Sequence, residues 1–274
     1  MEISILGCGW LGLPLAIRLQ NQGHVIKGST TSEEKLEILK RNEIQPYLIE
    51  VGKQEVKGTN TGSFWESEVL FLNIPPGRRQ GDVLDRFPLQ IQAVIDKIRE
   101  GTIEWVIFAS STSVYSNHEG RVSEEDASPD KASSDSGRAL LRCEEMLRNQ
   151  SGFDTTVIRF GGLYGYDRHP VTYLSGRKNL DKADKPVNLI HQDDCVNIVD
   201  EIIRQDVREG VFNAVSDGHP PRQEFYESAA RHFNLPFPVF NEGNTSQNKI
   251  VSNQQLKEIL QYQFSYPDPM DHTP

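Results

Sequence analysis

The chain has 274 residues, of which 36% are hydrophobic and 25% are charged, and its mean hydropathy is -0.52. This composition is typical of a globular protein of one large or two small domains and excludes a disordered chain. Asp and Glu number 39 against 29 Lys and Arg, so the net charge of -10 at pH 7 disfavours nucleic acid or an anionic membrane as the main partner.

The cysteines and the N-terminus predict a cytoplasmic location. Cys8, Cys143 and Cys195 form no CxxC pair, which argues against a disulfide framework and against a zinc site. Residues 3–17 carry no charge, but no basic stretch precedes them and glycines interrupt them, so we interpret them as a strand, a loop and a helix. No run approaches the roughly 20 apolar residues of a membrane span. We therefore expect no membrane, nucleic acid or metal at this protein's site.

Short apolar runs alternate along the chain with amphipathic helical patterns. The helical patterns repeat apolar residues three or four apart, and the apolar runs end at Gly, Pro or polar residues. The Gly- and Thr-rich residues 55–66 and the Pro- and Asn-rich tail after residue 233 are predicted to be irregular. In chain order, we predict strands at residues 3–6, 24–27, 47–51, 69–74, 105–109, 155–159, 187–191 and 211–215, and helices at residues 11–22, 33–41, 88–100, 135–149, 193–205 and 222–233.

Continuous apolar strands that alternate with helices predict a parallel sheet covered by helices on both faces. The predicted fold class is therefore α/β, a Rossmann-type doubly wound sheet with a small C-terminal lobe. We assign residues 1–165, rejoined by residues 187–215, to the dinucleotide-binding domain. Residues 166–186 and 216–274 are assigned to the small lobe, which would cover a substrate.

The sequence GCGWLG at residues 7–12 follows the first strand and opens the first helix. In a dinucleotide-binding turn, Gly7 permits the tight turn, Gly9 lets a pyrophosphate approach the backbone, and Gly12 lets the helix pack on the strand. Trp10 and Leu11 lie at the helix N-terminus, which faces the phosphates. The alternative is a tight turn without a ligand, but the position of the motif favours binding of NAD(P).

The end of the second strand favours NADP over NAD. NAD sites usually have an acid here that binds the ribose 2′-hydroxyl, yet residues 3–32 contain no acid. The hydroxyls of Ser29, Thr30 and Thr31, with Lys35 soon after, suit a 2′-phosphate better. The alternative is an ordinary cap for the next helix.

Two more strand ends are expected at the ligand, because ligands bind at the carboxyl ends of the strands in such a sheet. Ile74, at the end of the fourth strand, and Pro75 and Pro76, which follow it, are predicted to bind the cofactor, and the Pro-Pro-Gly sequence at residues 75–77 would form a stiff wall beside its adenosine half. The hydroxyl side chains that follow the fifth strand include Ser111. They are placed to hydrogen-bond a substrate oxygen, unless they only satisfy the backbone of their own turn.

These motifs resemble the extended short-chain dehydrogenase/reductase superfamily, which includes sugar-nucleotide epimerases and dehydratases. Within it the chain most resembles the atypical YeeZ-like group of NAD(P)-binding proteins. The resemblance spans residues 3 to about 233 and is more specific for fold and cofactor than for reaction. The motifs are GxGxxG at residues 7–12, SSTSVY at 110–115, VIR at 157–159, LYG at 163–165, NLIH at 188–191 followed by two acids at 193–194, and FN at 212–213.

The resemblance implies that Ser111 polarises the substrate, and that a catalytic Tyr and Lys lie four residues apart on the next helix. In the superfamily, the Lys and the nicotinamide ribose lower the Tyr pKa from about 10, so that the Tyr can act as a base. Glu144 matches an acid at a fixed offset from this pair. Counting back from it puts Ser136 at the Tyr position and Leu140 at the Lys position, so both standard residues are missing.

Three replacements for the missing pair are open. Ser136 could act with Arg138, although residues two apart point to different faces of a helix and Arg is not a base near neutral pH. Tyr115 or Tyr164 could supply a phenol, or a group of the substrate itself could transfer the proton. The candidate catalytic residues are therefore Ser111, Ser136 and Arg138.

Two functions follow from these observations. The first is an NAD(P)-dependent oxidoreductase or epimerase that acts on a small polar or sugar-derived substrate, which Ser111 and the covering segment favour. The second is a non-catalytic NAD(P)-binding sensor, which the missing Tyr and Lys favour. The covering segment offers Arg168, His169, Arg177 and Lys178, which bind an anionic substrate in the first case and are solvated otherwise. The pattern makes no prediction about the substrate's identity or the oligomeric state.

Overall fold

The apolar runs of the sequence form the strands at the centre of the fold. A computed structural model describes residues 1–77, 82–115, 119–130, 132, 134–241 and 248–271. The helices in this part of the chain are α1 (Gly12–Asn21), α2 (Glu33–Arg41), α3 (Val83–Glu100), α4 (Asp135–Arg148), α5 (Gln192–Arg204), α6 (Arg222–His232) and α7 (Gln254–Leu260). The strands are β1 (Glu2–Leu6), β2 (Val25–Thr30), β3 (Gln45–Leu48), β4 (Glu50–Val51), β5 (Val56–Lys57), β6 (Val69–Leu72), β7 (Trp105–Ser111), β8 (Gly120–Val122), β9 (Asp154–Phe160), β10 (Gly162–Tyr164), β11 (Leu189–His191), β12 (Gly210–Ala214) and β13 (Lys249–Val251).

The main sheet has the strand order of a doubly wound fold. Within the described residues it contains seven strands in the order β12-β9-β7-β6-β1-β2-β3. Every neighbouring pair in this sheet is parallel. The order reverses at β1, where the chain passes from one half of the sheet to the other, and ligands of such sheets bind at this point. The predicted Rossmann-type α/β fold is confirmed.

Each face of the sheet has its own apolar core. Along β6, Leu70 and Leu72 belong to the core that contains α3 and α4, whereas Val69 and Phe71 belong to the core that contains α1 and α5. Successive side chains of a strand point to opposite faces, so a strand covered on both sides is apolar throughout. Burial of one such side chain contributes about 1.5–3 kcal/mol to folding.

The predicted and observed boundaries differ clearly at the helix whose predicted start is a proline. The helix predicted at residues 33–41 is confirmed as α2. In contrast, α3 begins at Val83 and contains Pro88, which we predicted to be its first residue. Proline is common in the first turn of a helix, and this preference misplaces the start.

The strand predicted at residues 187–191 does not rejoin the main sheet. It is shorter, and as β11 it pairs in parallel with β10, with Gly162 opposite Leu189. The strand that extends the main sheet is β12, which pairs with β9. A short apolar run indicates a strand but does not identify its partner.

The tail that we predicted to be irregular contains β13 and α7. β13 pairs in parallel with β8, so residues 249–251 lie beside residues 120–122. Leu256 and Leu260 of α7 are buried in the core that contains α1 and α5. This part of the tail therefore packs against the Rossmann sheet, although the assignment of the remaining residues to a separate lobe stays a prediction.

A buried ion pair joins the carboxyl end of β9 to α4. Arg159 Nη2 donates to Glu144 Oε2 at 2.7 Å, and the two side chains are 5% and 4% exposed. Arg159 Nη1 also donates to the Tyr115 hydroxyl at 2.9 Å, and that hydroxyl donates to Asn213 Oδ1 at 2.7 Å. Ser110 Oγ, at the end of β7, donates to Glu144 Oε1. Both charged groups are therefore buried with hydrogen-bonding partners. Burial of either charge without such partners would be strongly unfavourable.

Glu144→Ala should lower the free energy of unfolding by about 3–5 kcal/mol, because Arg159 would stay buried without its carboxylate. Urea unfolding followed by circular dichroism measures this change. Glu145→Ala is the matched control, because Glu145 is the exposed neighbour on the same helix, and it should alter the same quantity by no more than about 0.5 kcal/mol. Equal losses in the two variants would contradict a stabilising role for the ion pair.

Candidate functional site

A cavity of about 1050 Å³ runs along the carboxyl ends of the strands β9, β7, β6, β1 and β2. Ligands of open parallel sheets bind at this edge. Each of these strand ends contributes a segment to the wall, and the segments are residues 160–163, 110–113, 73–77, 7–11 and 29–31.

The glycine loop has its shape because two of its glycines have no room for a side chain. A Cβ on Gly7, where φ is +110°, would lie 2.5 Å from the Asn73 carbonyl oxygen, and a Cβ on Gly12 would lie 2.2 Å from the Gly7 carbonyl oxygen. A Cβ on Gly9 would meet no atom within 4 Å. Gly7, Gly9, Trp10 and Leu11 line the cavity, whereas Gly12 is not among its described lining residues and acts through packing alone.

Hydrogen bonds hold the loop against the neighbouring strands. The Gly7 amide donates to Ser29 Oγ at 2.9 Å, and the Cys8 amide donates to the Ser29 carbonyl at 2.8 Å. Asn73 Nδ2 donates to the Gly7 carbonyl at 3.0 Å. The loop is therefore fixed before any ligand arrives.

The loop and the start of α1 fit the pyrophosphate of a dinucleotide. The first turn of α1 contains no acidic residue, and its N-cap position makes no side-chain hydrogen bond. The amide groups of a helix N-terminus carry partial positive charge and attract phosphate oxygens. The space in front of Gly9 leaves room for such a group next to these amides.

The end of β2 and the start of α2 bring hydroxyl groups and one cation, Lys35, to the cavity. Ser29, which is 2% exposed, uses its Oγ to accept from Gly7, and Thr30 Oγ1 accepts from the Ser32 amide at 3.1 Å. Thr31 and Lys35 are exposed and line the cavity.

Glu50 lies on the same side of the cavity and was missed by our sequence reasoning. It lines the cavity, and the amide of its neighbour Ile49 donates to the Thr30 carbonyl at 3.0 Å. We searched for an acid only at the end of the second strand, where NAD sites usually have one. Here the acid comes from the neighbouring part of the chain.

The segment that follows β6 lines the cavity. Ile74, Pro75 and Pro76 all face it. Arg86 holds the end of this wall, because its Nη2 donates to the Pro76 carbonyl at 2.7 Å and to the Gly77 carbonyl at 3.1 Å.

Of the three candidate catalytic residues, the structure brings only Ser111 to the cavity. Ser111 lines it, and Ser111 Oγ accepts from the Ser113 amide at 3.2 Å. Ser136 is buried on α4 and is not among the described lining residues. The Arg138 guanidinium instead donates to Asp135 and to the Ala132 carbonyl. The expectation that Ser136 and Arg138 share a site with Ser111 is therefore corrected.

An apolar side chain stands where the superfamily's Lys is expected. Leu140 is buried on α4 and lines the cavity. The two phenols considered as replacements are not among the described lining residues. Tyr115 is 1% exposed and Tyr164 is fully buried, and burial raises the pKa of Tyr115 to about 12 and raises that of Tyr164 as well. Neither phenol is placed to act as a base near neutral pH.

Positive charge gathers in the cavity. Lys35, Arg168, Lys185 and Lys249 line it, and Glu50 is the one acid among its described lining residues. Sequence reasoning missed Lys185 and Lys249, because one lies in a loop and the other in a strand of three residues, where periodicity gives no signal. An arrangement with this excess of cations suits an anionic ligand.

Of the four residues that the covering segment was predicted to offer, Arg168 is among the described lining residues, and Lys185 of the same segment lines the cavity as well. The Arg168 guanidinium lies 5.0 Å from the centroid of the Trp10 ring. His169 is buried against Phe225 and Phe233, with ring centroids 5.6 and 4.8 Å away. The other three predicted candidates, His169, Arg177 and Lys178, are not among the described lining residues.

No metal site is found among the described residues, where no group of three or more His, Cys, Asp or Glu side chains could hold an ion. In the same part of the chain, no helix has the length and apolar character needed to cross a membrane. The cysteines are buried and unpaired, and burial raises the pKa of Cys8, in the glycine loop, to about 12.

Comparisons with known proteins agree with this architecture. The chain is 31% identical to the protein YeeZ of Escherichia coli K12 over 272 residues, which cover 98% of this chain and 97% of the relative. A conserved protein of unknown function from Silicibacter pomeroyi has a TM-score of 0.78 at 22% identity and covers 98% of this chain and 95% of its own. UDP-glucuronic acid 4-epimerase from Bacillus cereus, solved in complex with NAD, has a TM-score of 0.79 at 15% identity, with 100% and 95% covered. No protein-family model matches the chain.

The parallel sheet and the cavity at its switch point define an α/β protein with the Rossmann-type fold, which it shares with solved sugar-nucleotide epimerases such as that of Bacillus cereus. Within it, the full-length match shows that the chain belongs to the YeeZ family.

Proposed function

We propose that the chain binds NAD(P) across the glycine loop and acts as an oxidoreductase or epimerase on a small polar or sugar-derived substrate. The observation that carries this proposal is a single cavity lined both by the glycine loop and by Ser111. Its volume of about 1050 Å³ lies just above the usual range for ligand sites, roughly 300–1,000 Å³, which suits a dinucleotide and a second molecule. The Bacillus cereus epimerase, which has the same fold, was solved with NAD.

The residues of the cavity divide between the two ligands. The loop at Gly9 and the start of α1 would hold the pyrophosphate, and the wall from Ile74 to Pro76 would lie beside the adenosine. A bound nicotinamide supplies hydride transfer. Ser111 Oγ accepts one hydrogen bond from its own turn and keeps its proton to donate to a substrate oxygen. Ser113 Oγ has no hydrogen-bond partner among the described residues and lies on the same wall.

A second candidate function is a sensor that holds NAD(P) without turning over a substrate. Leu140 favours it, because this side chain lines the cavity at the position of the superfamily's Lys and cannot transfer a proton. The two candidate functions differ in the role of Ser111: the enzyme requires its hydroxyl for turnover, whereas the sensor does not.

Ser111→Ala should leave NADPH affinity within twofold and abolish consumption of NADPH when the protein is mixed with a pool of polar metabolites. The reason is that the variant loses only the hydroxyl that would polarise the substrate. Absorbance at the nicotinamide band measures consumption, and Ser111→Thr, which keeps the hydroxyl, should retain part of it. An epimerase returns the hydride to its substrate and consumes no NADPH overall, so NMR of the pool must also be followed for the appearance of new isomers. If the unmodified protein binds NADPH tightly but neither consumes it nor isomerises any compound in the pool, the sensor is correct and the enzyme is not.

Gly9→Val should weaken both NADPH and NADH by more than tenfold, because its side chain would occupy the space required by the pyrophosphate. Fluorescence titration of the reduced nucleotide measures the affinity. Gly152→Val is the control, because a Cβ there also meets no atom within 4 Å but Gly152 lies outside the cavity. Unchanged affinity in Gly9→Val would show that the nucleotide does not bind at the glycine loop.

We further propose that NADP is preferred, on the strength of Thr31 and Lys35 at the end of β2. Lys35→Ala should then weaken NADPH about tenfold, which is about 1.4 kcal/mol, and change NADH affinity by less than twofold. Lys40→Ala, an exposed lysine of the same helix that pairs with Glu37, is the control. Glu50 lines the same cavity, and its negative charge would repel a 2′-phosphate. Tighter binding of NADH than of NADPH to the unmodified protein would overturn the proposed preference.

A further inference from the structure

Two lysines line the cavity at the end of β7 and β9, away from the glycine loop. Lys249 Nζ donates to the Tyr115 carbonyl at 3.3 Å, and Tyr115 directly follows the turn that contains Ser111. Lys185 lines the same wall, together with Asn188. The main sheet places β6 and β1 between β7 and β2, so these lysines lie at the opposite end of the cavity from Thr31 and Lys35.

The position of Lys249 is fixed by the fold rather than by its own side chain. Asn188 Nδ2 donates to the Lys249 carbonyl at 3.0 Å, and the Val251 amide donates to Asn188 Oδ1 at 2.8 Å. The pairing of β13 with β8 anchors the same three residues from the other side. The Asn188 carbonyl in turn accepts from the Gly162 amide at 2.8 Å, which ties this arrangement to the end of β9.

Neither lysine has a carboxylate partner in the part of the chain that the structure describes, where the ion pairs involve other residues. Burial, followed by the nearby charge of Lys185, lowers the pKa of Lys249 to about 8. Burial also lowers the pKa of Lys185, followed by the charges of Lys182 and Arg222. Two half-buried cations that line one cavity without a carboxylate partner among the described residues are an unfavourable arrangement, which a bound anion would relieve.

We propose that Lys185 and Lys249 bind the anionic group of the substrate, a carboxylate or a phosphate, next to Ser111. The substrate is then an acidic or phosphorylated polar compound, held by its charge at one end of the cavity while Ser111 contacts one of its oxygens. This inference rests on the proposed function, because it assigns the second ligand of the same cavity. The whole chain has a net charge of -10, so this cationic wall is a local feature of the cavity and not a general property of the surface. It would therefore attract anions to this site in particular.

The test uses the whole protein labelled with ¹⁵N and follows its amide signals during titration with inorganic phosphate or with malonate, at constant ionic strength. Each titration is carried out with and without saturating NADPH. Lys185→Met and Lys249→Met keep the length of the apolar stem and remove the charge, and Lys57→Met, which alters an exposed lysine outside the cavity, is the control. The dispersion of the amide signals reports whether each variant is folded.

We expect one of the two anions to bind with NADPH present, and each cavity variant to weaken it at least tenfold while Lys57→Met leaves it unchanged. Preference for phosphate would identify a phosphorylated substrate, and preference for malonate would identify a carboxylic acid. The proposal is overturned if neither anion binds, if the variants bind as well as the unmodified protein, or if NADPH displaces the anion. Failure of NADPH to bind would instead overturn the proposed function, and the titration without NADPH would still report on the two lysines.

Discussion

The ion pair between Arg159 and Glu144 is the interaction on which the geometry of the cavity depends. It joins the carboxyl ends of β9 and β7 to α4, and through the Tyr115 hydroxyl it extends to Asn213 on β12. Asn213 Nδ2 in turn donates to the Ser252 carbonyl at 3.0 Å, next to β13. The same network therefore positions the turn with Ser111 and the tail that carries Lys249.

This network gives structural roles to Glu144 and Tyr115, two residues that the sequence analysis considered near the site. Glu144, from which the sequence prediction counted back to Ser136 and Leu140, is the ion-pair partner of Arg159. The Tyr115 phenol is part of the network and is not available to a substrate. What faces the cavity from α4 is the apolar Leu140.

The charges of the cavity differ from those of the whole molecule. The net charge is -10, yet four of the cavity's described lining residues are cationic and one is acidic. Lys35 lies at the end where an adenosine ribose would bind, and Lys185 and Lys249 lie at the other end. Such a separation suits two anionic ligands in one cavity, and low-dielectric walls strengthen the attraction for each of them.

The sequence predicted the features that depend on local pattern. The parallel sheet follows from continuous apolar strands such as β6 and β7, and the glycine loop follows from steric limits at Gly7 and Gly12 that any doubly wound fold imposes. Ser111, Thr31 and the wall at Pro75 follow from the rule that ligands bind at strand ends.

Features that depend on distant pairing were missed. Lys249 reaches the cavity only because a three-residue strand pairs with β8, and no periodicity marks so short an element. Ser136 was chosen by its offset along the chain, although the structure buries it outside the cavity. Glu50 escaped notice because it comes from beyond the strand where an acid was expected. Each of these depends on which segments meet in space, which a single sequence pattern does not encode.

The most direct test of this account is a crystal structure of the protein grown with saturating NADPH. The account predicts that the pyrophosphate lies against Gly9 and the start of α1, with the nicotinamide facing Ser111. NADPH bound elsewhere, or in the cavity with its nicotinamide at the end of β2, would contradict it.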